Sequence, residues 1–153
     1  MANEYLLSID NGTQSVRALL FDLHGHLVAK SQVHLHAYFS DHPGWAEHDP
    51  EGYWQAVCQA CQRLWADNHI PKSAIKGVAV TTQRGTMINL DKHGKPLRPA
   101  IVWLDQRKAQ QVPPIKWWWR AAFKLARVDY TIRYFQHEAD ANWIAEHQPQ
   151  IWD

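Results

Sequence analysis

Tyr5-Leu6-Leu7-Ser8-Ile9-Asp10-Asn11-Gly12-Thr13-Gln14-Ser15-Val16-Arg17-Ala18-Leu19-Leu20-Phe21 sets two apolar, β-rich segments on either side of a polar turn. Asn-Gly between such flanks is a strong hairpin signal, because both central residues of the favoured two-residue turn need positive φ and these residue types tolerate it. Tyr5–Ile9 and Val16–Phe21 are therefore expected as antiparallel strands. The turn is also dense in chemistry. Asp10 brings a carboxylate, Thr13 and Ser15 hydroxyls, Gln14 an amide and Arg17 a guanidinium, around a glycine that leaves backbone N–H groups accessible. Such donors converge on anions. A plain surface hairpin with polar decoration accounts for the same residues, so the remainder of the chain has to decide between the two.

Working outward, Leu27–Leu35 reads as a third strand after a turn at His24-Gly25, giving an antiparallel meander. A loop over 40–50 ends in Gly44-Trp45-Ala46-Glu47-His48-Asp49-Pro50. Asp49 suits an N-cap and Pro50 the first helical position. Trp54, Val57, Cys58, Cys61, Leu64 and Trp65 then recur at three- and four-residue steps, predicting a helix from about Pro50 to Asp67 with that face buried. Ile75–Thr82 follows as a β-branched run which, after a crossover helix, should lie parallel to the first strand. Met87–Leu90 and Ala100–Trp103 flank Asp91-Lys92-His93-Gly94 as a second hairpin whose turn resembles the one at His24-Gly25. From Asp105 onward only helices are expected, over 105–112, 115–127 and 129–147, interrupted by Pro113-Pro114 and ended by Pro149. Ile115, Trp118, Trp119, Ala122, Phe123 and Ala126 form one apolar face there, and Ile132, Phe135, Ala139, Trp143 and Ile144 another, which suggests packing within a helical subdomain over a membrane-surface role. The division is a sheet core over 1–104 and a helical segment over 105–153, within one α/β domain.

Composition narrows the function classes. With 16 basic and 15 acidic residues and a formal charge of +1, the chain offers no basic field for a nucleic-acid backbone or an anionic membrane, and a small-molecule partner fits better. The apolar runs are strand-sized, and Met1-Ala2-Asn3-Glu4 lacks the pattern of a secretion signal, so a soluble cytoplasmic protein is expected. Cys58 and Cys61 sit mid-helix, where core packing suits them better than redox chemistry or zinc. His24/His26 and His34/His36 have no Cys or carboxylate cluster to complete a metal site.

Four ordered motifs then coincide: Asp10-x-Gly12-Thr13-x-Ser15-x-Arg17; Gly44-Trp45-x-Glu47-x-Asp49-Pro50; Thr82-Gln83-Arg84-Gly85-Thr86; and Ile101-Val102-Trp103-Leu104-Asp105-Gln106-Arg107. Together with Trp143-Ile144-x-Glu146-His147-x-Pro149-x-Ile151-Trp152, they resemble the N-terminal half of the FGGY carbohydrate kinases, a family that takes in glycerol kinase and xylulokinase. The resemblance implies an actin-like ATPase, or ribonuclease H-like, fold. It also implies transfer of the γ-phosphate of ATP to a hydroxyl of a sugar or polyol in a cleft between two domains. In such a reaction catalysis is mostly positioning and charge neutralisation. Carried onto this chain, Asp10 would orient Mg2+ through its waters, Thr13, Gln14 and Ser15 would face the transferring phosphate, and Arg17 would add positive charge. An Asx-turn role for Asp10 and a surface-strand role for Arg17 remain the alternatives. Gln83 and Arg84 would meet substrate hydroxyls just past the fourth strand; Trp103 would be an apolar wall or plain core. Asp105 would accept from sugar hydroxyls, cap the next helix, or both.

The sequence departs from the family in two instructive places. The glycerol-kinase branch resembles Gln-Arg-Glu-Thr where this chain has Gln83-Arg84-Gly85-Thr86, and the lost carboxylate points away from glycerol toward a sugar or larger polyol. No segment matches the aspartate that serves the family as general base or the domain that holds adenosine, so both are expected beyond Asp153. Asp105 is no substitute base, since Arg107 beside it favours its charged form. The sheet lacks an expected last strand, the late helices carry unpartnered stripes, and the sequence stops at Ile151-Trp152-Asp153 without a polar tail. An N-terminal piece of a longer kinase is the expectation, with the missing C-terminal domain as its partner and room for a homo-oligomer. The alternative is an inert fragment that acts at most as a binding or interaction module.

Overall fold

A computed structural model describes residues 4–151; Met1–Asn3 and the motif residue Trp152 with Asp153 lie outside the described residues. In chain order the elements are β1 (Tyr5–Asn11), β2 (Ser15–Asp22), β3 (Leu27–His34), β4 (Glu47–His48), α1 (Pro50–Asp67), β5 (Ile75–Thr82), β6 (Ala100–Ile101), α2 (Trp117–Leu125), α3 (Asp129–Glu138) and α4 (Asp140–His147). Strands β1 to β3 form the expected meander, and α1 returns the chain so that β5 pairs parallel to β1 in a sheet of order β3-β2-β1-β5.

Asp49 caps α1 by accepting the Glu51 N–H at 3.1 Å, with Pro50 at the helix start. Leu7, Val16, Ala18, Leu20, Ala29 and Val33 from the sheet meet Ala56, Ala60 and Leu64 from α1 in the main core. The buried face of α1 is thus rotated from the expected one, running through Tyr53, Ala56, Ala60 and Leu64 and leaving Trp54 exposed. Small alanines let the helix backbone approach the sheet, so the bulkier Val57, Cys61 and Trp65 pack along its flanks. Leu6 is exposed on the opposite face of the sheet, while Val78 and Val80, in register with Leu7 and Ile9, are exposed on β5.

Four other expectations change. The Asn-Gly turn is not a two-residue turn with positive φ: pairing continues to Asn11↔Val16, and positive φ occurs at Gly25, Gly44, Gly85 and Gly94 but not at Gly12. Gly12 is needed for close approach instead, since its N–H reaches Ser15 O at 3.1 Å and a Cβ there would sit 3.3 Å from that oxygen. The second hairpin is reduced to isolated bridges, Met87↔Ile101 and Leu90↔Pro96, and the ladder partner of β6 is β4. Pro96 and Pro99 bring no N–H to a ladder. Its turn does repeat the earlier one: Asp91 Oδ1 accepts from the His93 and Lys95 N–H groups as Asp22 Oδ1 does from those of His24 and His26.

Residues 105–112 form no helix, because their backbone donors are spent on distant partners, with Gln106 N–H on Gly44 O and Ala109 N–H on His137 O. The expected 129–147 helix breaks at Ala139, which is extended, and the Asn142 side chain takes up the Gln136 carbonyl. Trp143 and Ile144 do pack into a second core with Ile101 and Ala109. The tryptophans of α2 stay exposed, and no residue of that helix is buried. No helix among the described residues is long and apolar enough to cross a membrane.

Candidate functional site

Parallel strands present their carboxyl ends on one side of a sheet, and loops beyond those ends gather ligands. Asp10 stands at the end of β1, and the register places Arg17 of β2 on one side of it and Thr81 of β5 on the other. Arg17 Nη1 donates to Asp10 Oδ2 at 2.9 Å and Thr81 Oγ1 to Asp10 Oδ1 at 3.0 Å. Each carboxylate oxygen therefore keeps acceptor capacity. Beyond Asp10 the loop buries Ser15, leaves Gln14 exposed and pins itself to β3 through Leu35 N–H on Gln14 O at 2.9 Å.

Gln83 follows β5 and is fixed by its own N–H on Asn11 O at 3.2 Å. Its Oε1 accepts from Thr13 Oγ1 at 3.0 Å, and Thr13 Oγ1 accepts from Trp103 Nε1 at 2.9 Å. Three residues singled out in separate motifs thus meet through one hydroxyl. Arg84 is exposed beside them, and Trp103 is 53% exposed, so it is not core. Gly85 has φ +77°, and a Cβ on it would come within 3.3 Å of Trp103 Cβ.

Asp105 is held differently. Its side chain is only 2% exposed, Oδ1 accepts from Arg107 N and Nε, and Oδ2 from Ala46 N and Arg107 Nη2, at 2.6–2.9 Å. Burial works against its charge, yet the hydrogen bonds from Arg107 and Ala46 outweigh it and hold the carboxyl below the ordinary range. The bonds to its two oxygens account for the acceptor capacity of a carboxylate, which leaves none for a sugar hydroxyl. With no helix following, neither of the two roles expected for Asp105 is visible; it holds the turn after Trp103.

Sequence reasoning set Arg107 beside Asp105 but gave no role to the groups around that pair. Arg107 also donates to Glu47 Oε1 at 2.9 Å, Arg98 reaches the same oxygen, and the Arg107 guanidinium packs 3.9 Å from the Trp45 ring centroid and 4.6 Å from that of Trp143. Glu47 and Arg107 were visible as motif positions; Arg98, between Leu97 and Pro99, carried no signal. Asp140, at the start of α4, is pushed up to about 6 by burial and by the charge of Asp105, with Arg107 and Arg98 opposing. Among the described residues no group of three His, Cys, Asp or Glu side chains is placed to hold a metal.

The meander, crossover helix and parallel strand with a polar loop at the strand ends are the actin-like ATPase arrangement. The crystal structure of xylulose kinase from Rhodospirillum rubrum matches it with a TM-score of 0.74 at 27% identity, over 97% of this chain and 30% of that one. The chain belongs to the FGGY family of carbohydrate kinases, whose N-terminal domain it matches over residues 5–153. A glycerol kinase of Acidovorax sp. (strain JS42) is 33% identical across 97% of this chain and 30% of its own length. One from Marinomonas sp. (strain MWYL1) is 44% identical across 67% of this chain and 21% of its own. The chain spans between 21% and 30% of the length of such relatives.

Proposed function

We propose that this domain supplies one wall of a kinase cleft in which the γ-phosphate of ATP passes to a hydroxyl of a sugar or polyol. The observation that carries the reading is the Thr13 hydroxyl, which joins the anion-binding loop to Gln83 and Trp103 across 70 and 90 residues of sequence. Donor phosphate and acceptor alcohol have to be neighbours for an in-line transfer, and here the groups suited to each are neighbours.

In this reading Thr13, Gln14 and Ser15 face the phosphate oxygens, and Arg17 adds positive charge where negative charge develops. Asp10, a single carboxylate with unused acceptor capacity, fits an outer contact to the waters of Mg2+, an ion that keeps several waters and takes few carboxylates. Mg2+ bound with the nucleotide would neutralise phosphate charge. Gln83 and Arg84 bind substrate hydroxyls, and Trp103 covers the carbon chain. Asp105 acts at one remove, by fixing the turn that carries Trp103. The general base and the adenosine site are assigned to the part of the relatives' length that this chain does not span.

A sugar or larger polyol is preferred to glycerol. Position 85 is glycine with φ +77°, and a Cβ there would crowd Trp103 Cβ at 3.3 Å, so the acid of the glycerol-kinase branch would enter this backbone only with strain. The test is a coupled assay with MgATP over a panel of pentoses, hexoses and polyols, run on the 153-residue chain and on a longer version continued into the downstream frame. Turnover by the longer protein that falls at least 100-fold in Asp10→Ala supports the reading; turnover indifferent to that change refutes the site. The second reading, a binding module without turnover, applies to the 153-residue chain, which spans 21–30% of its relatives' length, and predicts a silent assay for that form alone.

A further inference from the structure

A threonine hydroxyl has one proton and two lone pairs. Here the Thr13 hydroxyl donates to Gln83 Oε1 at 3.0 Å, and one lone pair accepts from Trp103 Nε1–H at 2.9 Å. The indole nitrogen can only donate, which fixes the sense of that second bond. Thr13 in this state has no proton to offer an anion. A phosphate oxygen, being an acceptor, can use Thr13 only if the hydroxyl turns away from Gln83.

We propose that Thr13, Gln83 and Trp103 form a hydrogen-bond switch that couples an oxyanion in the Gly12–Ser15 loop to a polyol beside Gln83. The anion takes the Thr13 proton, which releases Gln83 Oε1 to accept from a substrate hydroxyl, while the Trp103 indole stays on the Thr13 oxygen. No covalent bond changes; a proton donor is redirected. The proposal rests on the phosphate-loop reading above and assigns Thr13 and Gln83 as the coupling pair within it.

The surroundings restrict what can move. The Gln83 backbone is tied to Asn11 O, so only its side chain can respond. The Trp103 backbone lies in a turn closed by Asp105 N–H on Val102 O at 2.8 Å and clamped by Val102 N–H on Ala46 O at 3.0 Å. A Cβ added at Gly85 would meet Trp103 Cβ at 3.3 Å and Cα at 3.8 Å, so the base of the Trp103 side chain is closely packed there. Movement is thereby confined to one rotor and one carboxamide, and the coupling is reciprocal: polyol bound to Gln83 frees the Thr13 proton and tightens the anion. One exchanged hydrogen bond corresponds to a roughly two- to tenfold change in either affinity.

The experiment is a titration of the uniformly 15N-labelled 153-residue chain with inorganic phosphate, followed by amide and indole NMR, with the Trp103 indole resonance assigned by Trp103→Phe. The expected result is that the Gly12–Ser15 amides, the Gln83 carboxamide and the Trp103 indole move along one isotherm, and that saturating phosphate tightens xylitol binding two- to tenfold. In Thr13→Val the loop amides still respond, but Gln83 no longer does and the xylitol effect disappears; Thr13→Ser restores both. Loop amides that shift while Gln83 and Trp103 stay silent overturn the switch and leave the phosphate reading standing. Loop amides that do not shift overturn the phosphate reading, and the switch with it.

Discussion

Two aspartate–arginine pairs in this chain have the same chemistry and opposite surroundings. Asp10 and Arg17 face each other across β1 and β2 with side chains 37% and 49% exposed, and each Asp10 oxygen accepts one bond. Asp105 and Arg107 are sealed between Trp45, Trp143 and the β4–β6 pair, and the Asp105 oxygens accept from three nitrogens of Arg107 and from Ala46. The open pair can exchange its partners for a ligand; the closed pair cannot. Openness and enclosure are thus divided between two regions, and Trp103 connects them, bonded to Thr13 at one end and two residues from Asp105 at the other.

The largest effect is expected where the closed pair is broken. Arg107→Ala would strip Asp105 of its cation and leave Glu47 with Arg98 alone, in a site where both carboxylate side chains are at most 9% exposed. Loss of one partner of a buried pair costs about 3–5 kcal/mol, and that is the expected fall in unfolding free energy by urea titration. Arg107→Lys should recover little of it, since an ammonium reproduces neither the forked contact with Asp105 nor the packing against two indoles. A loss under about 1 kcal/mol would mean that enclosure does not make this pair structural.

Gly85→Glu probes the connection. Its φ of +77° is costly for any side chain, and the new Cβ meets Trp103 at 3.3 Å. Destabilisation of about 1–3 kcal/mol is expected, together with loss of the hydrogen-bonded Trp103 indole resonance. An unchanged indole signal would show that Trp103 is not held by the fit to Gly85.

What could be read from the sequence follows the same division. Asp10, Thr13, Ser15 and Arg17 lie in one stretch, and a strand–loop–strand pattern with a capped crossover helix is local information, so the meander, α1 and the parallel β5 were all legible. The closed region is assembled from 44–48, 98–107 and 137–144, and its logic is tertiary. Strands of two residues such as β4 and β6 have no period to detect. The helix expected over 105–112 was lost because its backbone donors go to Gly44 and His137, with the Asp105 side chain taking the Arg107 N–H as well, and propensity anticipates neither. The single helix expected over 129–147 hid a break at Ala139, set by contacts of His137 and Asn142 with the backbone of other segments.

Asp140 gives a smaller effect, readable by pH. Its folded-state pKa, about 6 against 3.8 in the free residue, lies above the unfolded value. The ionised form is therefore disfavoured by folding: the penalty is absent below about 3.8, grows as pH rises to about 6 and is complete above it. Partial exposure reduces its size to about 1 kcal/mol. Asp140→Asn should stabilise the chain by that amount near pH 7.5 and by nothing near pH 4; equal gains at both values would assign the effect to packing.

The smallest effect on stability is expected at the open pair, and there its smallness is the informative outcome. Arg17 is half exposed and its bond to Asp10 is an ion pair open to solvent, so Arg17→Ala should cost less than about 0.5 kcal/mol in urea titration. The same change removes a guanidinium beside the Gly12–Ser15 loop and frees Asp10 Oδ2, so, on the proposed function, phosphate affinity should fall several-fold and its dependence on salt should weaken. A residue that contributes little to folding and much to anion binding is what an open site requires. If Arg17→Ala instead destabilises the chain as Arg107→Ala does, with no change in phosphate affinity, the two pairs are both structural and the contrast between the regions disappears.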